Sequence, residues 1–301
     1  MGPWRVDERQ GLERGNRRKW HSIFYFFYKM NKFDRQRNLL GRRAILRSAV
    51  AFCCFASLPQ AHAQVAVSTG INRIARFRAL SQRIAKTYCQ MHLKVLPAQS
   101  SASLASARKK VQLGFDDLAK GQWPEAVAQH IRQVRMLSDA LDALLVQPPT
   151  RESVMAVAAQ ADKMLLAADA ATVALEKHAK VGTAQLVSTA GRQRMLSQRM
   201  AKNYSLAAAG WDSTEVRGKM VSDAGEFKQG MATLAAAPLS TPGIRDELAL
   251  GESQWVFFEA ALQRKSDARG LETVATTSER LLEVMDRLTD LYDNALKDAL
   301  G

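Results

Sequence analysis

Disulfide chemistry is the first thing this sequence excludes as a source of stability. Of three cysteines, Cys53 and Cys54 sit side by side in a short apolar run, and only Cys89 lies in the body of the chain. No intrachain disulfide can form there once the leader is gone, although an oxidising compartment stays allowed. Aromatic residues make up 7% of the chain, and β-branched residues are few, so the composition favours helix. Proline is scarce too. Beyond the N-terminal leader it occurs only at Pro97, Pro124, Pro148, Pro149, Pro238 and Pro242, always between periodic segments. No apolar run reaches the ~20 residues that span a bilayer, so the body of the chain is expected to be soluble, without a transmembrane segment. There is no Gly-rich phosphate loop, no HExxH and no nucleophile–base pattern. The sequence therefore reads as a non-enzyme with no cofactor.

Acidic residues are missing from two stretches, and those gaps organise the rest of the reading. From Gln64 to Phe115 there is no Asp or Glu against nine Lys/Arg, and from Lys177 to Trp211 none against six. The overall charge of +14 arises mostly elsewhere, in residues 1–63. That placement weakens any nucleic-acid reading, which needs a basic face on the folded body.

Residues 1–63 read as a preface and a cleavable export signal. Arg42-Arg43 precede Ile45 and Leu46, an apolar run covers Ala49–Leu58, and Ala61-His62-Ala63 gives a small-x-small cleavage pattern with Gln64 as the first mature residue. The paired arginines fit a twin-arginine (Tat) signal, with a Sec signal as the alternative. Met30 opens a conventional basic n-region, so it is the expected true start. The expected location is the periplasm of a Gram-negative bacterium.

The mature chain reads as all-α, two tandem antiparallel four-helix bundles spanning residues 64–182 and 183–301. Helices are expected at about 67–95, 101–120, 124–146, 151–181, 183–209, 213–236, 242–264 and 268–299. Short loops between them indicate up-down bundles. Lys180-Val181-Gly182-Thr183 reads as a helix stop and a new cap, which predicts reversal and side-by-side bundles with parallel first helices.

A duplicated string identifies the helix face of interest. Residues 75–86 read ARFRALSQRIAK and residues 191–202 read GRQRMLSQRMAK, eight of twelve identical, at an offset of 116. Tyr88 and Tyr204 follow both, and the fourth helices match as well, Val157–Leu165 against Val274–Leu282. A period this long is a duplicated domain. The shared residues are mostly polar, which suggests that the face meets an anion or a partner. By helical phase, Arg76 and Arg83 (Arg192 and Arg199 in the second copy) sit at the edge of the buried stripe. Arg78 and Arg194 point away from the local core. Two guanidiniums held together without acids would repel until an oxyanion sat between them, which is the physics of a sensor. The alternative is plain salt bridging to Asp116, Asp117, Asp139, Asp162 or Asp223 on neighbouring helices. Cys89 and His92 are too few to hold a metal. The acids at Asp286, Asp290 and Asp293 read as a solvated face.

The string Gly191–Lys202 resembles the signature of the PilJ/NarX-like sensory domain, the N-terminal domain of type IV pilus methyl-accepting chemotaxis transducers. With its duplicate, the resemblance extends over most of residues 67–299 as two tandem copies. It implies an antiparallel four-helix bundle. In the nitrate-sensing branch, first helices pair across a dimer and the arginine before the Met holds the anion. That arginine is Arg194 here and Arg78 in the first copy, where Ala75 and Ala79 replace the family's Gly and Met. The chain lacks the family's transmembrane helices, HAMP-type linker and output region, and so resembles the input module alone.

The functional expectation is an exported module that binds a small oxyanion, nitrate or nitrite. Arg78 and Arg194 are the expected ligands, supported by Arg76, Arg192, Arg83, Arg199, Gln82 and Gln198. One chain would imitate the family dimer, or two chains would form a homodimer. The alternative is a helical adaptor that docks on a membrane receptor or transporter and takes no small-molecule ligand.

Overall fold

The computed structural model describes residues 58–179 and 184–300. Nearly all of the leader, including Arg42, Arg43 and Met30, lies outside the described residues, as does the junction at 180–183. Among the described residues the regular elements are eight α-helices. They are α1 (Leu58–His92), α2 (Pro97–Leu118), α3 (Glu125–Leu144), α4 (Arg151–Ala179), α5 (Ala184–Ala208), α6 (Thr214–Ala235), α7 (Pro242–Leu262) and α8 (Ala268–Leu300). α1 starts at Leu58, ahead of the expected cleavage point between Ala63 and Gln64. The chain is all-α, and its helices fall close to where proline and cap residues place them. Thr241 caps α7 by accepting from the Ile244 N–H, with Pro242 in the first turn. Ser213 caps α6 in the same way, accepting from the Val216 N–H.

Polar pairs fix the helix directions. Asp169 of α4 meets Arg192 of α5, while Asp162, earlier on α4, meets Lys202, later on α5. These two helices are therefore antiparallel, which is the reversal that Gly182 suggested. α1 is antiparallel to α4 by the pairs Arg78–Asp169 and Gln82–Asp162. It is antiparallel to α8 by Arg76–Asp290 and Arg83–Glu279. The first helices α1 and α5 consequently run parallel and side by side, flanked by α4 and α8. From Pro59 onward the helices belong to one compact unit.

One continuous apolar core runs through both sets of four, and each set contributes an aromatic stack to it. Phe77 of α1 stacks on Phe115 of α2 at 4.4 Å, and Phe227 of α6 stacks on Trp255 of α7 at 4.3 Å. Burying such rings contributes roughly 1.5–3 kcal/mol each. Gly114 and Gly230, one repeat offset apart, let the first helices approach. A Cβ on Gly114 would come within 2.8 Å of the Phe77 ring, and one on Gly230 within 1.9 Å of the Gln193 amide. The two repeated tyrosines serve one purpose in both copies. Tyr88 donates to the Gln147 carbonyl at 3.0 Å and Tyr204 to the Arg264 carbonyl at 3.0 Å. Each ties the end of a first helix to the connection between the third and fourth.

Candidate functional site

The duplicated string forms a seam between the two sets of four helices. Its centre is Gly191 against Ala75, where a Cβ on Gly191 would lie 3.3 Å from the Ala75 Cβ. Small residues at this crossing bring α1 and α5 close enough for their arginines to interleave. The Nη2 atoms of Arg194 and Arg78 lie 3.1 and 3.6 Å from that same Cβ position, so both guanidiniums converge on one spot. Arg78 is 2% exposed and Arg194 0%. Helical phase had placed both away from their local cores, and the surface they reach is the other copy.

The bonding of the two arginines is reciprocal. Arg78 donates through Nη1 to Asp169 at 2.8 Å and through Nη2 to the Ser188 carbonyl at 3.2 Å. Arg194 donates through Nη1 to Asp286 at 3.0 Å and through Nη2 to the Asn72 side-chain oxygen at 3.0 Å. Asp169 and Asp286 are equivalent positions on the two fourth helices, as are Asn72 and Ser188 on the two first helices. The cluster therefore has a pseudo-two-fold axis. Each aspartate also faces an arginine of the opposite copy, Asp169 to Arg192 at 3.4 Å and Asp286 to Arg76 at 3.7 Å. In each central guanidinium the Nε is buried without a hydrogen-bond partner.

These aspartates correct the expectation that the central arginines lack acids. Local sequence is acid-free, but the partners arrive from the fourth helices, about ninety residues away. Asp286 and Asp293 do not lie on a solvated face, whereas the Asp290 side chain is 52% exposed. Asp286 holds Arg194, and Asp290 accepts from Asn72 at 3.0 Å and Arg76 at 3.3 Å. Asp293 is 4% exposed and accepts from Lys297. The row of acids on α8 faces the seam because α8 packs against α1 as well as against α5 and α7.

The outer layers of the seam use the remaining expected residues. Arg83 and Lys86 of α1 both donate to Glu279 of α8. Lys202 donates to Asp162 of α4 at 2.6 Å, which Gln82 also meets at 3.0 Å. Gln198 donates to the Ser278 carbonyl at 2.9 Å. Arg192 also pairs with Glu226 of α6. Arg199 departs from the symmetry and grips Asp223 of α6 through two bonds of 2.7 Å. The structure thus brings Arg76, Arg78, Arg192 and Arg194 together in one cluster, and sets Arg83, Arg199, Gln82 and Gln198 in flanking layers.

Burial lowers the proton affinity of Arg78 and Arg194, and the neighbouring Arg192 and Arg76 push the same way. Asp169 and Asp286 oppose this. Burial would raise the Asp286 carboxyl, but Arg194, Arg76 and Lys110 outweigh it and hold the group below its usual range. Both central arginines are thus charged and matched, each by one carboxylate that solvent still reaches. The Asp169 side chain is 38% exposed and that of Asp286 21%. Sequence reading missed Asp169, Asn72 and Ser188, and took Asp286 for a solvent-facing acid. The signal was available, since the alignment of the two fourth helices, carried one further turn or two, places Asp169 on Asp286.

A helical module built around a buried, charge-matched seam is the class that this fold and site define. Residues 177–269 match the family model for the type IV pili methyl-accepting chemotaxis transducer N-terminal domain, PilJ. The matched span runs from the end of α4 through α7 to the start of α8. No curated protein matches the chain, and no solved structure does. PilJ is a family of sensory and signalling domains and not an enzyme family. Such domains are usually extracellular or periplasmic. Among the described residues no helix is long and apolar enough to cross a membrane.

Proposed function

We propose that the chain is an exported sensory input module whose seam binds a small planar oxyanion of the nitrate or nitrite kind. The observation that carries this reading is the convergence of two fully buried guanidiniums, each with an unused Nε donor, on one point of a pseudo-two-fold axis. Arg78 and Arg194 are the ligands. Arg76 and Arg192 accept the displaced carboxylates. Asp169 already touches Arg192 and Asp286 already faces Arg76, so an entering anion takes over the central arginine while each aspartate keeps a cationic partner. The exchange moves α4 and α8 relative to α1 and α5, which couples occupancy to helix position. The first four helices act as a second copy of the domain, and one chain stands in for a dimer. Residues 42–63 direct export, by the twin-arginine or Sec route, to the periplasm, where a membrane receptor reads the helix movement.

Calorimetric titration and melting of the full chain with nitrate and nitrite, against chloride, test the proposal. A bound oxyanion at a hundred times its Kd stabilises by ~2.7 kcal/mol. Arg194→Lys keeps the charge but loses the planar fork and should abolish that response. A wild-type chain that melts identically in nitrate, nitrite and chloride would exclude the site.

Charge matching at the seam supports a second reading. Each central arginine already has its carboxylate, so the cluster can serve as a clamp in a ligand-free adaptor. In that case Arg194→Lys lowers stability with no anion effect in either protein.

A further inference from the structure

The two flanks of the seam, related by the repeat, differ greatly in shape. Between α4, α5 and α6 lies an open groove of about 1030 Å³. The equivalent position beside α8, α1 and α2 is closed to about 10 Å³. Duplicated sequence began with the same residue pattern at both places, so the substitutions between them indicate what the open one accommodates. Leu206 and Val216 line the open groove where Gln90 and Ser100 line the closed one. Leu165, Leu166 and Trp211 extend the apolar wall, and Leu166 is 70% exposed. Trp211 is braced from behind by the Arg151 guanidinium, 4.6 Å from its ring.

The inner end of the groove is polar and has spare hydrogen-bond donors. Asn203 is 6% exposed and lines the groove, yet its side chain has no hydrogen-bond partner among the described residues. Its counterpart Thr87 is satisfied by its own helix, donating to the Arg83 carbonyl at 2.8 Å. Lys202, beside it, donates only to Asp162. The counterpart Lys86 donates to both Glu279 and the Ser278 hydroxyl, the latter at 3.1 Å. Ala161 occupies the position of that serine in the open copy, so the Lys202 ammonium keeps donors that no protein group takes. The Asn203 amide and the part-bonded Lys202 ammonium, both lining the end of an apolar trough, offer donors that a ligand can take in place of water. The volume is also that of small-molecule sites.

We infer that the α4–α5–α6 groove binds a small amphipathic carboxylate, its head on Lys202 and Asn203 and its aliphatic or aromatic body along Leu165, Leu206, Trp211 and Val216. The site is separate from the central arginines and does not depend on their role. The carboxylate suits the donors, since Lys202, shared with Asp162, and the Asn203 amide each offer N–H groups, and the lining bases Arg199 and Lys219 offset the lining acids Asp212 and Glu215.

Octanoate, octanol and octylamine, titrated into the full chain by calorimetry with Trp211 fluorescence in parallel, test the inference. Octanoate should bind, octanol at least tenfold more weakly, and octylamine not at all. Asn203→Ala and the transplant Leu206→Gln with Val216→Ser should each weaken octanoate at least tenfold, with circular dichroism melting confirming that they fold. Arg194→Lys should leave octanoate binding unchanged, which separates this site from the seam. Octanol binding as tightly as octanoate, a preference for octylamine, or folded variants that bind octanoate like the wild type would each overturn it.

Discussion

Asp286 holds Arg194 at 3.0 Å, carboxylate to guanidinium, where the arginine has no exposure to water. The pair joins the fourth helix of the second set to its first helix, and Arg76 of the other set lies 3.7 Å from the same carboxylate. Removing the carboxylate charge leaves a buried cation with neutral acceptors beside it and only the further Asp290 carboxylate to offset its charge. Asp286→Asn should therefore cost about 3 kcal/mol, the low end for breaking a buried pair, because solvent reaches Asp286. Under the proposed function the same variant frees the anion site. Chemical denaturation should find D286N weakened in chloride and substantially restored by nitrate. A D286N protein equally weak in both salts would argue for the clamp alone.

Gly191 sets the spacing of the two first helices. Alanine there would place its Cβ 3.1 Å from the Arg194 Nη2 and 3.3 Å from the Ala75 Cβ. That crowding is opposed by the gain of about 1 kcal/mol from replacing a mid-helix glycine, so Gly191→Ala should change stability little. Gly191→Leu has no such escape. It should separate α1 from α5 and cost about 1–3 kcal/mol by overpacking. Equilibrium unfolding of both variants checks the contrast, and a leucine variant as stable as the alanine one would place the crossing elsewhere.

The helix boundaries were legible because they rest on local chemistry. Prolines and the caps at Ser213 and Thr241 act within a few residues of where they stand. The outward direction of Arg78 and Arg194 was legible from periodicity alone. Their partners were not. Asp169 and Asp286 lie about ninety residues from the arginines they hold, and no local charge count can see across that separation. The acids on α8 were read as solvated because a period of three and four marks one helix face without saying what covers it. The same limit explains the groove. Leu206 against Gln90 and Val216 against Ser100 look like ordinary drift in an alignment, and only packing shows that one set encloses a trough.

Tyr88 and Tyr204 offer a test of the repeat itself. Each is buried and donates its hydroxyl to the connection before a fourth helix. Tyr88→Phe and Tyr204→Phe should each cost about 1 kcal/mol, the typical net value of such a bond. The two sites share no partner, so the double variant should lose about the sum. A markedly non-additive result would mean that the two connections are coupled through the seam.

Glu279 supplies a pH dependence with a definite sign. Burial would raise its carboxyl, but Lys86 and Arg83 bring it down to about 2 from its ordinary 4.5. A carboxylate whose folded pKa is depressed stabilises the fold above its unfolded pKa, and that contribution is lost as pH falls toward the folded value. Stability should accordingly drop between about pH 4.5 and pH 2, by on the order of 3 kcal/mol from this group. Glu279→Gln should remove that share of the acid slope. It should also weaken the protein at neutral pH, since Lys86 is fully buried and would lose the carboxylate charge that offsets its own, keeping only neutral acceptors. Urea denaturation of both proteins from pH 7 down to pH 3 measures the difference. The two stabilities should converge as the pH falls. Curves that stay parallel over the whole range would show that Glu279 titrates alike in the folded and unfolded chain.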